Sequence, residues 1–155
     1  MKLKTFCSPI TCALLIITSI LTFSACSKDD NTPDNEIKFS ASLDQSQETP
    51  PTGATATGTC EARYNTETNL LTYTLTWTGL TAAPTAMHFH KADFGEPGDV
   101  EIPITGFAVS PGGTLSSSAT VDEDEEEDLL ENKFYVNIHT AAHPGGEIRG
   151  QLIKK

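Results

Sequence analysis

Leu71-Thr72-Tyr73-Thr74-Leu75-Thr76-Trp77-Thr78 alternates without a break between a large apolar side chain and a threonine. In an extended chain successive side chains point to opposite faces, so Leu71, Tyr73, Leu75 and Trp77 share one face and the four threonines share the other. That order of aromatic, apolar and β-branched residues predicts an antiparallel strand, buried on one side and solvated on the other. Trp77 and Tyr73 accordingly read as core packing rather than as a stacking platform for a ligand.

The same period of two recurs on both sides of this stretch. Upstream it runs through Ile37, Phe39, Ala41 and Leu43, and again through Ala56, Gly58, Cys60, Ala62 and Tyr64. Between these two runs lies Glu48-Thr49-Pro50-Pro51-Thr52-Gly53, which reads as a turn because proline has no amide to give to a sheet. Downstream, Met87 and Phe89 alternate with His88 and His90, short strands follow near 100–104 and 114–121, and Phe134, Val136 and Ile138 alternate with Tyr135, Asn137 and His139. After Pro144-Gly145-Gly146 a last strand turns Ile148 and Leu152 inward, and Glu147, Arg149 and Gln151 outward. The acidic run Asp122–Asp128 lacks the glycine-punctuated spacing of a calcium loop and reads as a solvated turn leading into one helical turn at Leu129 and Leu130. Many short strands and no long period of 3.6 predict an all-β fold: a Greek-key antiparallel β-sandwich or barrel, Ig-like or superoxide-dismutase-like.

The N-terminus has a different character. Lys2 and Lys4 precede an apolar stretch, Ala13 to Leu21, which gives way to Phe23-Ser24-Ala25-Cys26. That is the order of an export signal. Its apolar part is about a dozen residues, where a spanning helix needs ~20. Ser24-Ala25-Cys26 resembles the lipobox of bacterial lipoproteins, although Phe23 stands where an aliphatic residue is usual. The expected organisation is a signal peptide over 1–25, a lipidated Cys26 with a flexible tether over 26–36, and one β domain over 37–155. Acyl chains on Cys26 would make the membrane a partner. Ser27-Lys28-Asp29-Asp30 resembles the acidic signal that sends lipoproteins to the cell surface. The expectation is an outer-membrane lipoprotein, surface-exposed or else on the periplasmic face.

Charge and cysteine count exclude several classes. The formal net charge is -11, and removing the signal, with its two lysines and no acid, takes it to -13. Nucleic acid is not a partner to expect, since phosphate binding needs clustered Lys and Arg. Of four cysteines, Cys7 and Cys12 leave with the signal and Cys26 goes to lipid, so Cys60 stands alone. The processed domain then has neither a disulfide nor a cysteine-based zinc cluster.

The chemistry the sequence does offer lies in its histidines. His88 and His90, two apart on a strand, face the same way, and His139 falls on the corresponding outer face of its own strand. If the two strands adjoin, three imidazoles converge on one ion, and imidazole suits copper or zinc. His143 is the candidate fourth ligand. The competing reading is that these rings hydrogen-bond to neighbours such as Glu147 or Asn137 and order a solvated face. Asn137, Glu147, Arg149 and Gln151 share that face as candidate binding residues, with Glu147 and Arg149 read as a surface ion pair. Neither a nucleophile elbow, a phosphate loop nor a paired-carboxylate motif is present.

Five blocks together resemble the CHRD domain family, named from chordin: Phe39–Leu43 with Glu48-Thr49-Pro50-Pro51, Leu71–Leu80, Met87–His90, Phe134–Thr140, and Gly146–Leu152. The resemblance covers about 37–153 and implies an extracellular β-sandwich-like module without a settled activity. A looser likeness joins His88, His90 and Phe94-Gly95 to the copper strand of copper-zinc superoxide dismutase, from which the chain departs in lacking a structural disulfide and a zinc subsite. Three functions follow as expectations. The first is a non-enzymatic, surface-anchored binding module with a metal site, its protein or glycan partner unknown. The second is a copper-dependent redox enzyme, and the third a structural or adhesive envelope domain.

Overall fold

A computed structural model describes residues 35–155. The expected signal, the expected lipidation at Cys26 and all but the end of the expected tether lie outside those residues. Nine strands and one helix follow in the order β1 (Glu36–Asp44), β2 (Thr57–Asn65), β3 (Leu70–Thr78), β4 (Pro84–Lys91), β5 (Asp99–Ile104), β6 (Gly113–Thr120), α1 (Glu123–Leu130), β7 (Phe134–Thr140), β8 (Ile148–Gln151) and β9 (Ile153–Lys154). The all-β expectation holds.

The strands form one antiparallel sheet in the order β5-β4-β7-β8-β1-β2-β3-β6, with β9 added beside β1, and the sheet curls until it is nearly closed. The connections from β3 to β4 and from β5 to β6 run between distant positions in the sheet, the device of a Greek key. Its two edges, β5 and β6, are consecutive in the chain.

The alternation that opened the sequence is the rule of this sheet. Leu71, Tyr73, Leu75 and Trp77 are buried and Thr72, Thr74, Thr76 and Thr78 exposed. The buried set joins Phe39, Leu43, Tyr64, Phe89, Phe134, Val136, Ile138 and Ile148 inside the curl. Each fully buried Leu, Ile or Phe there contributes about 1.5–3 kcal/mol. Trp77 donates Nε1–H to the Ser110 carbonyl at 3.0 Å, so its one polar atom is satisfied within the core. Cys60 is free and buried, and burial pushes its thiol up to about 12.

One element is longer than the single turn expected. The acidic run is itself helical, and α1 places Glu123, Asp124, Glu125 and Glu126 in its first turn, where the helix dipole favours negative charge. Leu129 anchors it in the core, and Asn132 at φ 63 ends it in the left-handed conformation. Lys133 reaches Asp128 at 3.0 Å and Lys91 reaches it at 3.4 Å, which ties the helix to β4.

Candidate functional site

β4 and β7 are neighbours, which was the condition for the histidines to meet. Their register sets His90 opposite Tyr135, His88 opposite Asn137 and Ala86 opposite His139. The small methyl of Ala86 leaves the His139 ring room to lean diagonally toward His88. A register shift between Pro84 and Ala86 on this pairing precedes both β4 histidines, and a second, between Phe89 and His90 against β5, falls between them. Such bulges re-aim side chains locally.

His88, His90 and His139 each offer a ring nitrogen, and the three atoms lie within 4.8 Å of one another. Backbone carbonyls dictate which nitrogens those are. His90 Nδ1 sits 3.0 Å from the Gly98 carbonyl and His139 Nδ1 sits 3.0 Å from the Pro144 carbonyl. A carbonyl only accepts, so both Nδ1 atoms carry the proton and, in the neutral rings, both Nε2 atoms keep a bare lone pair. His88 Nδ1 lies 3.1 Å from His139 Nε2, and His90 Nε2 lies 3.0 Å from Asn137 Oδ1, an acceptor as well, so a bare Nε2 on His90 requires the Asn137 amide turned to present its NH2. Burial lowers the His88 pKa, with His139 and His90 adding to the effect; burial also lowers that of His139, against the Pro144 carbonyl, which raises it. Both shifts favour the neutral form of His88 and of His139.

The surroundings correct the expectation of a solvated outer face. His90 is only 7% exposed, Asn137 and Arg149 2%, Gln151 4% and Glu147 0%. Two loops roof this face. From the 92–98 segment, Glu96 O accepts from Arg149 Nη1, Gly98 N donates to the Tyr135 hydroxyl, and Ala92 O accepts from Gln151 Nε2. From the 45–53 segment, Gln47 Oε1 accepts from Gln151 N, and Thr52 Oγ1 donates to Glu147 O. Gly98 fits only as glycine, because a Cβ built on it would fall 1.9 Å from the Lys91 carbonyl.

Glu147 and Arg149 are not the surface ion pair their spacing suggested. Glu147 accepts from Thr140 Oγ1 at 2.6 Å, Thr81 Oγ1 at 2.7 Å and Thr81 N at 2.8 Å. Burial pushes its carboxyl up, but these bonds outweigh burial and hold it below the ordinary value. Arg149 lies over the Tyr135 ring, 3.9 Å from its centre, and Tyr135 stacks in turn on His90 at 4.8 Å. His143 does not join the other histidines. It occupies the turn after β7, where its carbonyl and amide exchange hydrogen bonds with Thr140.

Sequence reasoning missed Tyr135 as a support for His90, and Glu48 altogether. Glu48 is buried at 7% exposure, and burial lifts its carboxyl to about 7 against the opposing pull of Arg149. Both were visible in the blocks quoted above, Tyr135 beside Asn137 and Glu48 at the head of the proline turn, but only as strand and turn residues.

No curated protein and no solved structure matches this chain. The model of one family, the CHRD domain, matches residues 39–152, from the first core phenylalanine to the last core leucine, and takes in every residue of the histidine face. The chain belongs to the CHRD domain family.

Proposed function

We propose that the protein is an extracytoplasmic binding module, held at the outer membrane through a lipid on Cys26, that takes up one copper or zinc ion on His88, His90 and His139. The observation that carries this is the set of three ring nitrogens within 4.8 Å, with the Nδ1 atoms of His90 and His139 facing the Gly98 and Pro144 carbonyls. Ligand histidines characteristically donate their other N–H in this way. Nitrogens bound to one tetrahedral ion at about 2.0–2.1 Å stand about 3.3 Å apart. The 3.1 Å between His88 Nδ1 and His139 Nε2 is close to that spacing. An all-imidazole set suits copper or zinc better than a hard cation. Copper and zinc titrations of protein purified without its signal are expected to give one equivalent bound, and His88→Ala with His139→Ala to abolish it. Failure of the intact protein to take up either metal would remove this reading.

A redox enzyme of dismutase type is the second reading, and one observation favours it. A shallow cleft of about 380 Å³ lined by Thr85, His88, Pro103, Thr105 and Phe107 brings solvent to His88, one of the three histidines. Catalytic metal sites keep such an open approach. Superoxide consumption by copper-loaded protein, compared with the same free copper, separates the two readings: turnover above that background makes it an enzyme.

A further inference from the structure

Glu48 begins the proline-rich turn that the histidine chemistry leaves unused. Its carboxyl is buried, yet Oε1 has no hydrogen-bond partner. A buried polar atom in that condition is destabilising, and a charged one more so. The nearest guanidinium, that of Arg149, does not satisfy it, and Arg149 Nε is itself buried without a partner. The Glu48 carboxyl feels the Arg149 guanidinium at a distance and receives no hydrogen bond from it at Oε1.

Glu48 also lines a cleft of about 300 Å³ between two turns, Glu48–Thr52 on one side and Ala142–Gly146 on the other. The first turn is pinned from both ends, Thr49 Oγ1 donating to the Gly95 carbonyl at 2.9 Å and Thr52 Oγ1 to the Glu147 carbonyl at 3.0 Å. On the second, Gly146 holds φ at +131, and a Cβ built there would lie 2.4 Å from Glu48 Oε1 and 2.8 Å from Oε2. Glycine therefore keeps the carboxyl and the cleft clear. Pro50, Pro51, Ala142 and Pro144 supply apolar walls, and none of the lining residues is Lys or Arg.

We propose that this cleft binds a primary ammonium group on an aliphatic stem, such as a lysine side chain of a peptide, with Glu48 as its counter-ion. The ammonium supplies donors for the Glu48 carboxyl, which lacks them at Oε1, and its methylenes lie against the prolines, which is how such stems are ordinarily buried. A metal ion is the poorer fit, because Glu48 and His143 are the cleft's only common ligand types, and the group of three among the described residues is elsewhere. An anion would meet a carboxylate and no cationic lysine or arginine. This site does not depend on the histidines.

The test is a titration of isotope-labelled protein with Nα-acetyl-lysine methylamide, followed by the amide signals of Thr49, Thr52, Gly145 and Gly146. Saturable shifts at millimolar probe are expected. They weaken at least tenfold in Glu48→Gln and are retained in His88→Ala. The same probe acetylated at Nε needs no variant to fold, and is expected to bind at least tenfold more weakly. Shifts that do not saturate, that survive Glu48→Gln, or that are equal for the two probes would overturn the proposal.

Discussion

Two outer faces of one sheet, built by the same alternation, meet opposite fates. On β3 and β6 the outward residues from Thr72 to Thr78 and from Thr114 to Thr120 are threonines and serines that remain in water, some paired across the strands, as Thr74 is with Ser116 at 2.9 Å and Thr76 with Thr114 at 3.3 Å. On β4, β7 and β8 the outward residues His90, Tyr135, Asn137, Arg149 and Gln151 are buried, and His88 and His139 are half-buried. Period two therefore decides which residues leave the core, but not whether they reach solvent. That is decided by the 92–98 and 45–53 loops, which cover the second face and make a polar layer outside the apolar one. Hydrogen bonds there are exchanged within the protein instead of with water, so removing a partner leaves a sealed orphan behind.

The contrast is sharpest at Arg149. Its guanidinium bonds the Glu96 carbonyl at 2.9 Å, covers Tyr135 and is the cation nearest Glu48. Arg149→Met keeps much of the volume but strips the charge that opposes the buried Glu48 carboxyl and the hydrogen bond that Glu96 O accepts. The expected cost is about 3–5 kcal/mol, the range for removing one partner of a buried charge set. Urea unfolding measures it, and a loss below about 1 kcal/mol would mean the face is as solvated as the threonine one.

A smaller effect, and one with a sign, comes from Glu48. Its carboxyl titrates near 4.5 when unfolded and at about 7 when folded. The folded state then holds the extra proton between those values, so this group's contribution is fully present below pH 4.5 and is lost as pH rises through about 7. Glu48→Gln cannot ionise and loses nothing. Its stability relative to the wild type is expected to rise between pH 4.5 and pH 7.5, read from unfolding midpoints at both values. A difference independent of pH would show that the Glu48 carboxyl is not held in a low-dielectric site.

What was legible in the sequence follows the same division. The strands, the turns and the inward set could be read because alternation is a local signal, carried residue by residue from Leu71 to Trp77 and from Phe134 to Ile138. The common facing of His88 and His90 was legible for the same reason. That His139 sits beside them depends on β4 pairing with β7, a contact between residues 51 positions apart that no local pattern encodes. The burial of Arg149 and Glu147 was misread because the residues that roof them, from Gln47 to Thr52 and from Ala92 to Gly98, look in sequence like ordinary exposed turns. Helix α1 was cut short for a related reason: a run of acids is a poor helix by charge repulsion alone, and its buried Leu129 is what holds it to the sheet.

The threonine face supplies the control. Thr74 lies directly across from Ser116 on β6, and their hydroxyls share one hydrogen bond that water can replace on both sides. Thr74→Ala removes that bond and a β-branched residue from an exposed strand position, while Leu75 and Tyr73 on the core face keep every neighbour. Cross-strand pairs of this kind are worth about 0.2–1 kcal/mol. The expected loss is about 0.5 kcal/mol, measured by the same urea unfolding. A loss comparable to that of Arg149→Met would mean that something other than water covers the threonines, and the division between the two faces would fail.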